Sequence, residues 1–442
     1  MALDLTISGL LIPVEKDGAE EYLAAAALRL KIPETDIETV RILAKTPAFA
    51  DRRQFYYEIS LVARVPADYL NKDEFPLYAE RPAAPRKQAV AGRRPVIIGF
   101  GPAGMFAALE LLEYGLKPRI FERGKKLEER DLDVRRFISG RTLSPESNIQ
   151  FGEGGAGAYS DGKLFSRSNN SAYASKVLDT FIKFGAPPET GYVSKPHLGT
   201  DILRKITANI RMYILERGGE IHYGSKMTDI IISGGEVSGV VINGSAQYDC
   251  SGVYLAIGNS ARDTFEMLDK KGVSLEPKPV SVGVRVEHPA GTVNLIRYGD
   301  KYKDFPGIGA ATYSFNYTNR KTGRGAYTFC MCPGGEVVNA SSEEGLLALN
   351  GMSYSARDSE FSNSAITVTC RTADYASDGP LAGVEFQKDI ERKAFRAGGG
   401  NWKSPAQNLR DFLSGTPSRS LNVNSCKMGT HSADMSGIFP LL

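Results

Sequence analysis

The sequence predicts an α/β protein built on a doubly wound sheet, with a small N-terminal α+β domain before it and a mainly β domain inserted after it. Three observations predict this. From Pro95 the apolar run VIIGF is followed by the helical stretch AGMFAALELLEYG and then by KPRIFERG, the strand–helix–strand order of a βαβ unit. The turn between the first strand and the helix reads Gly99-Phe-Gly101-Pro-Ala-Gly104. Glu122 closes the next strand, 18 residues after Gly104. A glycine turn in that context, with that acidic residue, is the signature of a Rossmann-like dinucleotide-binding sheet.

The elements follow in order. Residues 4–12, 38–46 and 56–65 read as strands and the Ala- and Leu-rich 19–30 as a helix, giving a ferredoxin-like α+β domain over 1–78. Residues 79–93, rich in Pro, Ala and Arg and without periodicity, read as a linker. The nucleotide-binding domain spans 94–275, with a further helix at 203–219 and strand-like IHYGSKMTDIII, EVSGVVI and GVYLAIG. Residues 276–400, with SVGVRVEH, AYTFCMC and AITVTC, read as a mainly β domain covering the ligand. Residues 401–442 begin a return to the nucleotide domain.

Bulk properties exclude several classes. A chain of 442 residues can bury two or three cores, and its net charge of +3 is small. The first 90 residues carry 12 Lys and Arg against 14 Asp and Glu, so nucleic acid is not an expected partner. No leader-like N-terminus and no apolar run of about 18 residues is present, so a cytoplasmic protein off the membrane is expected. Five irregularly spaced cysteines do not form a disulfide framework, and with four histidines and one close pair, Cys330 and Cys332, they predict no metal site. Composition does not set the oligomeric state.

The fingerprint residues have separate tasks. Gly99 permits the tight turn, Gly101 lets a pyrophosphate approach bare backbone, and Gly104 lets helix and strand pack closely. Pro102 and Ala103 open the helix whose N-terminus receives the anion. Glu122 is expected to accept from adenosine ribose hydroxyls, with Arg123 beside it. Gly152-Glu-Gly154-Gly-Ala-Gly157 also fits the spacing, but no apolar strand precedes it. One qualified fingerprint leaves no separate nicotinamide domain. Ala256-Ile257-Gly258 resembles the Ala-Thr-Gly turn by which FAD enzymes of glutathione reductase and fumarate reductase type return to the flavin. FAD is therefore the expected cofactor, with NAD(P)H as a candidate co-substrate.

The segment from Gln150 to Phe165 is dense in glycine and supplies N–H groups free of side chains, with Gly155, Gly157, Ser160, Asp161, Gly162 and Lys163 as candidate cofactor contacts. Met227 and Arg262 join them, Arg262 as a partner for phosphate or for negative charge on the flavin. For the reaction, Cys330 and Cys332 sit two apart in an expected strand, on one face, about 6.5–7 Å between Cα atoms, at the outer edge of disulfide geometry. Two small buried hydrophobes before a Pro-Gly-Gly turn is the plainer reading. Arg285 and Glu287 also share a strand face and can pair. Arg285 is a candidate substrate anchor, and His288 at the strand end a candidate acid–base group.

The runs NIQFGEGGAGAYSDGKL, KPHLGTDILRKI, LAIGNSARDTF, VSVGVRVEHP, YTFCMCPGGEVVNAS and NGMSYSAR resemble the FAD-dependent dehydrogenases called NAD(FAD)-utilizing dehydrogenases. The resemblance covers nearly everything from about residue 90. It implies an FAD-dependent oxidoreductase acting on a small organic molecule. This chain departs from that family at Asn259, where histidine is usual, which removes an imidazole. It also ends at Leu442 before the family's C-terminal glycine-rich segment, which implies weaker FAD binding. Two other readings begin from the same fingerprint: a flavin hydroxylase or isoprenoid reductase, and a nucleotide-binding scaffold whose N-terminal domain recognises a partner.

Overall fold

The computed structural model describes residues 2–51, 53–80, 94–164 and 171–439. Most of the expected linker, 81–93, lies outside them, as does Phe165. The fold is mixed α/β, and it divides into two compact units, Met1–Pro85 with Lys163–Leu198 and Gly291–Thr312, and Arg86–Gly162 with Gly199–Ala290 and Tyr313–Leu442.

In the first unit β1 (Leu3–Pro13), β2 (Glu38–Ala48) and β3 (Tyr56–Val65) form an antiparallel sheet in the order β1-β3-β2. Leu5 pairs Ala63 and Ile7 pairs Leu61, so the alternating apolar residues of both strands fall on one face. Helix α1 (Ala19–Leu30) covers it with Tyr22, Ala26, Ala27 and Leu30, the four-residue spacing of one helix stripe. The helix ends where Lys31 turns left-handed, φ 59°, and its N–H returns to Ala27 O. These elements fall where the sequence places them. Beyond the three strands and one helix, isolated bridges add Leu77 beside Leu5 at one edge of the sheet and Val193 beside Lys45 at the other. Helices Ser171–Lys183 and Ala290–Tyr302 contribute the rest of the unit; the second kinks at Gly299.

In the second unit β4 (Val96–Ile98), β5 (Arg119–Phe121), β6 (Glu220–His222) and β10 (Val253–Leu255) form a parallel sheet, order β10-β4-β5-β6. Helix α2 (Pro102–Glu113) crosses from β4 to β5, and α3 (Leu127–Gly140) follows β5. Helix Gly199–Glu216 leads into β6. A meander of β7 (Met227–Ser233), β8 (Glu236–Ile242) and β9 (Ala246–Asp249) precedes β10. Val96, Ile98 and Phe121 share one core with Met227, Ile230, Val240, Ile242 and Leu268. This fixes the C-terminal ends of β4, β5 and β10 side by side.

A second, antiparallel sheet of this unit has the order β11-β16-β13-β12, from β11 (Val280–Pro289), β12 (Asn316–Thr318), β13 (Gly325–Thr328) and β16 (Phe361–Cys370), while β14 (Glu336–Asn339) pairs β15 (Leu349–Met352) in a ribbon of their own. The expected strand through Cys332 stops at Thr328. Among the described residues no helix is long and apolar enough to cross a membrane, and no cluster of three or more His, Cys, Asp or Glu is placed to hold a metal.

Candidate functional site

A cavity of about 620 Å³ opens at the C-terminal ends of the parallel strands. Three segments wall it: the turn into α2, the glycine loop 150–157, and the turn 255–261 after β10. Open parallel sheets bind ligands at this end, where helix N-termini and strand ends meet.

The first wall depends on close backbone approach. Gly99 has φ +99°, and a Cβ there would lie 2.4 Å from Ala256 O; one on Gly104 would lie 2.0 Å from Gly99 O. Any larger residue at either position pushes β10 or α2 away from β4. Gly101 faces the cavity and caps α2, which has no side-chain cap, so the helix's first N–H groups remain available to an anion.

The second wall is held from behind by a residue the sequence analysis did not single out. Arg130 is fully buried and donates to four carbonyls of the glycine loop: Asn148 (2.8 Å), Ile149 (3.0 Å), Glu153 (2.6 Å) and Gly155 (3.0 Å). Burial carries its guanidinium down to about 10, against the pull of Tyr159, whose ring lies 4.8 Å away. Gly152 makes room for it, since a Cβ there would sit 2.4 Å from Arg130 Cδ. Arg130 thus holds Gly155 O from behind, and the residue that follows, Ala156, lines the cavity. The signal was present: Leu127, Arg130, Val134 and Phe137 recur at helical spacing, which puts Arg130 on the buried stripe of α3. Arg211 anchors the same loop through Glu153 (2.6 Å), whose second contact is Leu127 N (2.9 Å).

Glu122 ties the walls together. Its buried carboxylate accepts from Phe100 N (2.7 Å), Gly124 N (2.8 Å) and Gly152 N (2.9 Å). A carboxylate offers about four acceptor directions, so one remains for a further donor such as a ribose hydroxyl.

Around the rim, Arg123 donates two parallel bonds to Asp263 (2.9 and 3.0 Å) and one to Glu146 (2.6 Å), with its guanidinium 4.0 Å over the Phe151 ring. Lys226 joins both carboxylates, at 3.1 Å to Glu146 and 2.5 Å to Asp263. Burial opposes the charge on Asp263, yet the hydrogen bonds from Arg123 and Lys226 carry its carboxyl from 3.8 down to about 2. A folded value below the unfolded one stabilises above about pH 4 and is lost as pH falls toward 2. Asp263→Asn is therefore expected to flatten the pH dependence of the urea midpoint in that window. An unchanged acid slope would show that the quartet contributes nothing.

Residues 279–442 match the family described as FAD-dependent protein, C-terminal domain-like. An uncharacterized protein of Clostridium beijerinckii is 48% identical over 320 residues, 72% of this chain and 60% of that protein. This chain therefore matches only about three fifths of that relative's length. Slight structural likeness extends to THI4 of Thermovibrio ammonificans (18% identity, 41% of this chain and 64% of that one, TM-score 0.28) and glycine oxidase of Bacillus cereus (15%, 44% and 63%, TM-score 0.24). It extends also to the L-amino acid deaminase of Proteus vulgaris (14%, 48% and 55%, TM-score 0.25).

The cavity brings together Gly99, Gly101, Pro102, Ala103, Glu122, Arg123, Gly155, Gly157, Met227, Ala256, Ile257 and Gly258. Phe151, Lys226, Thr264 and Phe265 line it as well, and sequence reasoning missed them. Gly104 lies behind the wall. Ser160, Asp161, Gly162, Lys163 and Arg262 do not line it. Ser160 donates to Gly157 O (2.9 Å) and accepts from Gly162 N (3.3 Å), while Asp161 takes Ser353 (2.8 Å) and Arg357 (3.1 Å). Lys163 belongs to the first unit, where its backbone bridges His197. Arg262 is buried behind Ala261 and is claimed by Glu391 (2.6 and 2.9 Å) and Glu343 (3.0 Å), so the expected phosphate or flavin contact is corrected to an ion-pair network.

The reaction candidates are placed elsewhere in the region of the family match, and none lines the cavity. Arg285 does not pair Glu287: its guanidinium donates to Asn363 Oδ1 (2.6 and 3.1 Å) and lies 3.8 Å from Cys332 Sγ, while Glu287 accepts from Ser425 N (2.8 Å) and Ser425 Oγ. Cys330 is exposed and Cys332 buried, so the shared face is corrected: β13 ends at Thr328 and Cys332 instead bridges Asn363 of β16. His288 Nε2 lies 3.0 Å from Tyr313 Oη.

Proposed function

We propose that this chain is the flavin-binding part of an FAD-dependent oxidoreductase, with its second unit a Rossmann-like dinucleotide fold. One observation carries the reading: an uncapped helix N-terminus, a second glycine loop and a buried carboxylate converge on one cavity. The match of residues 279–442 to an FAD-dependent protein family supports it independently. The residues present fit the cofactor. The first N–H groups of α2 and that of Ala156 suit a diphosphate, Glu122 keeps acceptor capacity for a ribose hydroxyl, and Met227, Ile257 and Phe265 supply apolar wall. FAD, when bound, supplies two-electron redox chemistry. The protein's part is to orient the cofactor and shield it from water.

A small organic molecule is the substrate class in this reading, a reduced nicotinamide nucleotide is the electron donor, and the cytoplasm is the compartment. The test is to purify the chain, add FAD and record the visible spectrum, then add NADH or NADPH without oxygen. Oxidised-flavin absorption on the protein, bleached by one of the nucleotides, is expected. A chain that retains no flavin after dialysis against FAD sinks the reading. Bleaching by neither nucleotide leaves the flavin and removes the nicotinamide donor.

A further inference from the structure

The first unit holds a second concavity, of about 590 Å³, at the end of β2. Two connections fix its walls. Lys45 N donates to Tyr192 O (2.8 Å) and Lys45 O accepts from Ser194 N (3.1 Å), which lays the 192–195 segment alongside β2 and sets Ser194 and Lys195 beside Thr46. Helix Ala290–Tyr302 contributes Arg297 to the same lining. The next residue, Tyr298, is buried edge-on against Phe49 (centroids 5.6 Å apart), and Phe49 stacks on Phe55 at 4.7 Å. The aromatic wall is therefore anchored on two sides.

The charge at this place is not compensated by a described neighbour. Nearby cations are already neutralised: Lys45 by Asp17, Lys301 by Glu15, Arg53 by Asp51. Among the described residues Lys195 and Arg297 have no hydrogen-bond or ion-pair partner, and none that lines the concavity is acidic. Two unneutralised cations lining one concave surface together with the Thr46 and Ser194 hydroxyls have the composition of an anion receptor. A guanidinium fork and an ammonium point charge together match a phosphate. The Phe49 ring adds a surface on which a flat ring can stack, and the volume lies within the range of small-ligand sites, roughly 300–1,000 Å³.

We propose that the first unit carries a binding site for a phosphate monoester of mononucleotide size, its phosphate held between Lys195 and Arg297 and its ring on Phe49. The site is independent of the flavin reading. To test it, the binding of AMP, adenosine and inorganic phosphate is measured by calorimetry on the whole chain, with FAD in excess to fill the second unit's cavity. AMP is expected to bind at least about tenfold more tightly than either adenosine or phosphate, and Lys195→Ala/Arg297→Ala to weaken AMP by about tenfold or more. Both side chains are exposed, so the melting temperature should not move. Phe49→Ala should weaken AMP while leaving phosphate unchanged. Equal affinities for AMP and adenosine, or a double variant that binds AMP like the wild type, would overturn the site. Equal affinities for AMP and phosphate would overturn its mononucleotide size.

Discussion

Arg130→Met is expected to destabilise the second unit by about 3 kcal/mol and to abolish diphosphate recognition in the glycine-walled cavity. The guanidinium serves four carbonyls of the 148–155 loop, three of them buried. Each carbonyl left without a donor costs roughly 1–3 kcal/mol, and removal of a buried charge returns several kcal/mol of dehydration cost, so the net is smaller than the sum. The functional loss is the sharper one. Arg123 and Lys226, the cations that line the cavity, are both committed to Glu146 and Asp263. A bound diphosphate thus depends on peptide N–H groups of α2 and of the glycine loop, and Arg130 holds the loop from behind while its own charge, hydrogen-bonded to no carboxylate among the described residues, attracts the anion. ADP affinity should fall by about a hundredfold, or about 2.7 kcal/mol, whereas adenosine should fall much less. Arg130→Lys keeps the charge, but its three donors cannot serve four carbonyls, and it should lie between. Urea unfolding and calorimetry with ADP and adenosine measure both effects. If Arg130→Met binds ADP and adenosine with equal losses, the arginine is a structural brace only.

That contrast also marks what the sequence could and could not convey. Strand, turn and helix from Val96 to Glu113 are local, set by an apolar run, glycines and a helical stripe, and they were legible; so were the three strands and helix of residues 3–65. Twelve of the proposed cofactor contacts meet in one cavity, ten of them at or beside the ends of strands and helices and two, Gly155 and Gly157, in the glycine loop. Partnerships across long separations were not legible. Alternation correctly puts Arg285 and Glu287 on one face of β11. It does not reveal that Asn363, 78 residues on, and Ser425, 138 residues on, would claim them separately. Arg262 failed for the same reason, since both its carboxylate partners come from distant segments. The expected strand through Cys330 and Cys332 failed locally: β13 ends four residues before Cys332, and the two-residue alternation no longer applies beyond it.

Glu122→Gln is expected to be nearly as damaging, for a reason that differs from the ribose contact the fingerprint predicts. Three backbone N–H groups from three segments converge on the two oxygens, Gly124 and Gly152 on one and Phe100 on the other. An amide preserves a single acceptor oxygen and turns an NH₂ toward at least one buried N–H, so donor faces donor. Losing one such bond and burying the orphan costs roughly 1–3 kcal/mol, and bonds to a charged acceptor lie at the upper end. The turn at Gly99–Gly101 and the loop at Gly152 should then loosen together, though they are some fifty residues apart in sequence. Amide hydrogen exchange at Phe100, Gly124 and Gly152 should accelerate in the variant even with no nucleotide present. A residue that served only a ribose would leave those amides protected and would lower affinity for adenosine alone. Protection unchanged at all three amides would reassign Glu122 to ligand contact. Accelerated exchange would make it the clamp that keeps the two glycine walls at the spacing a dinucleotide needs.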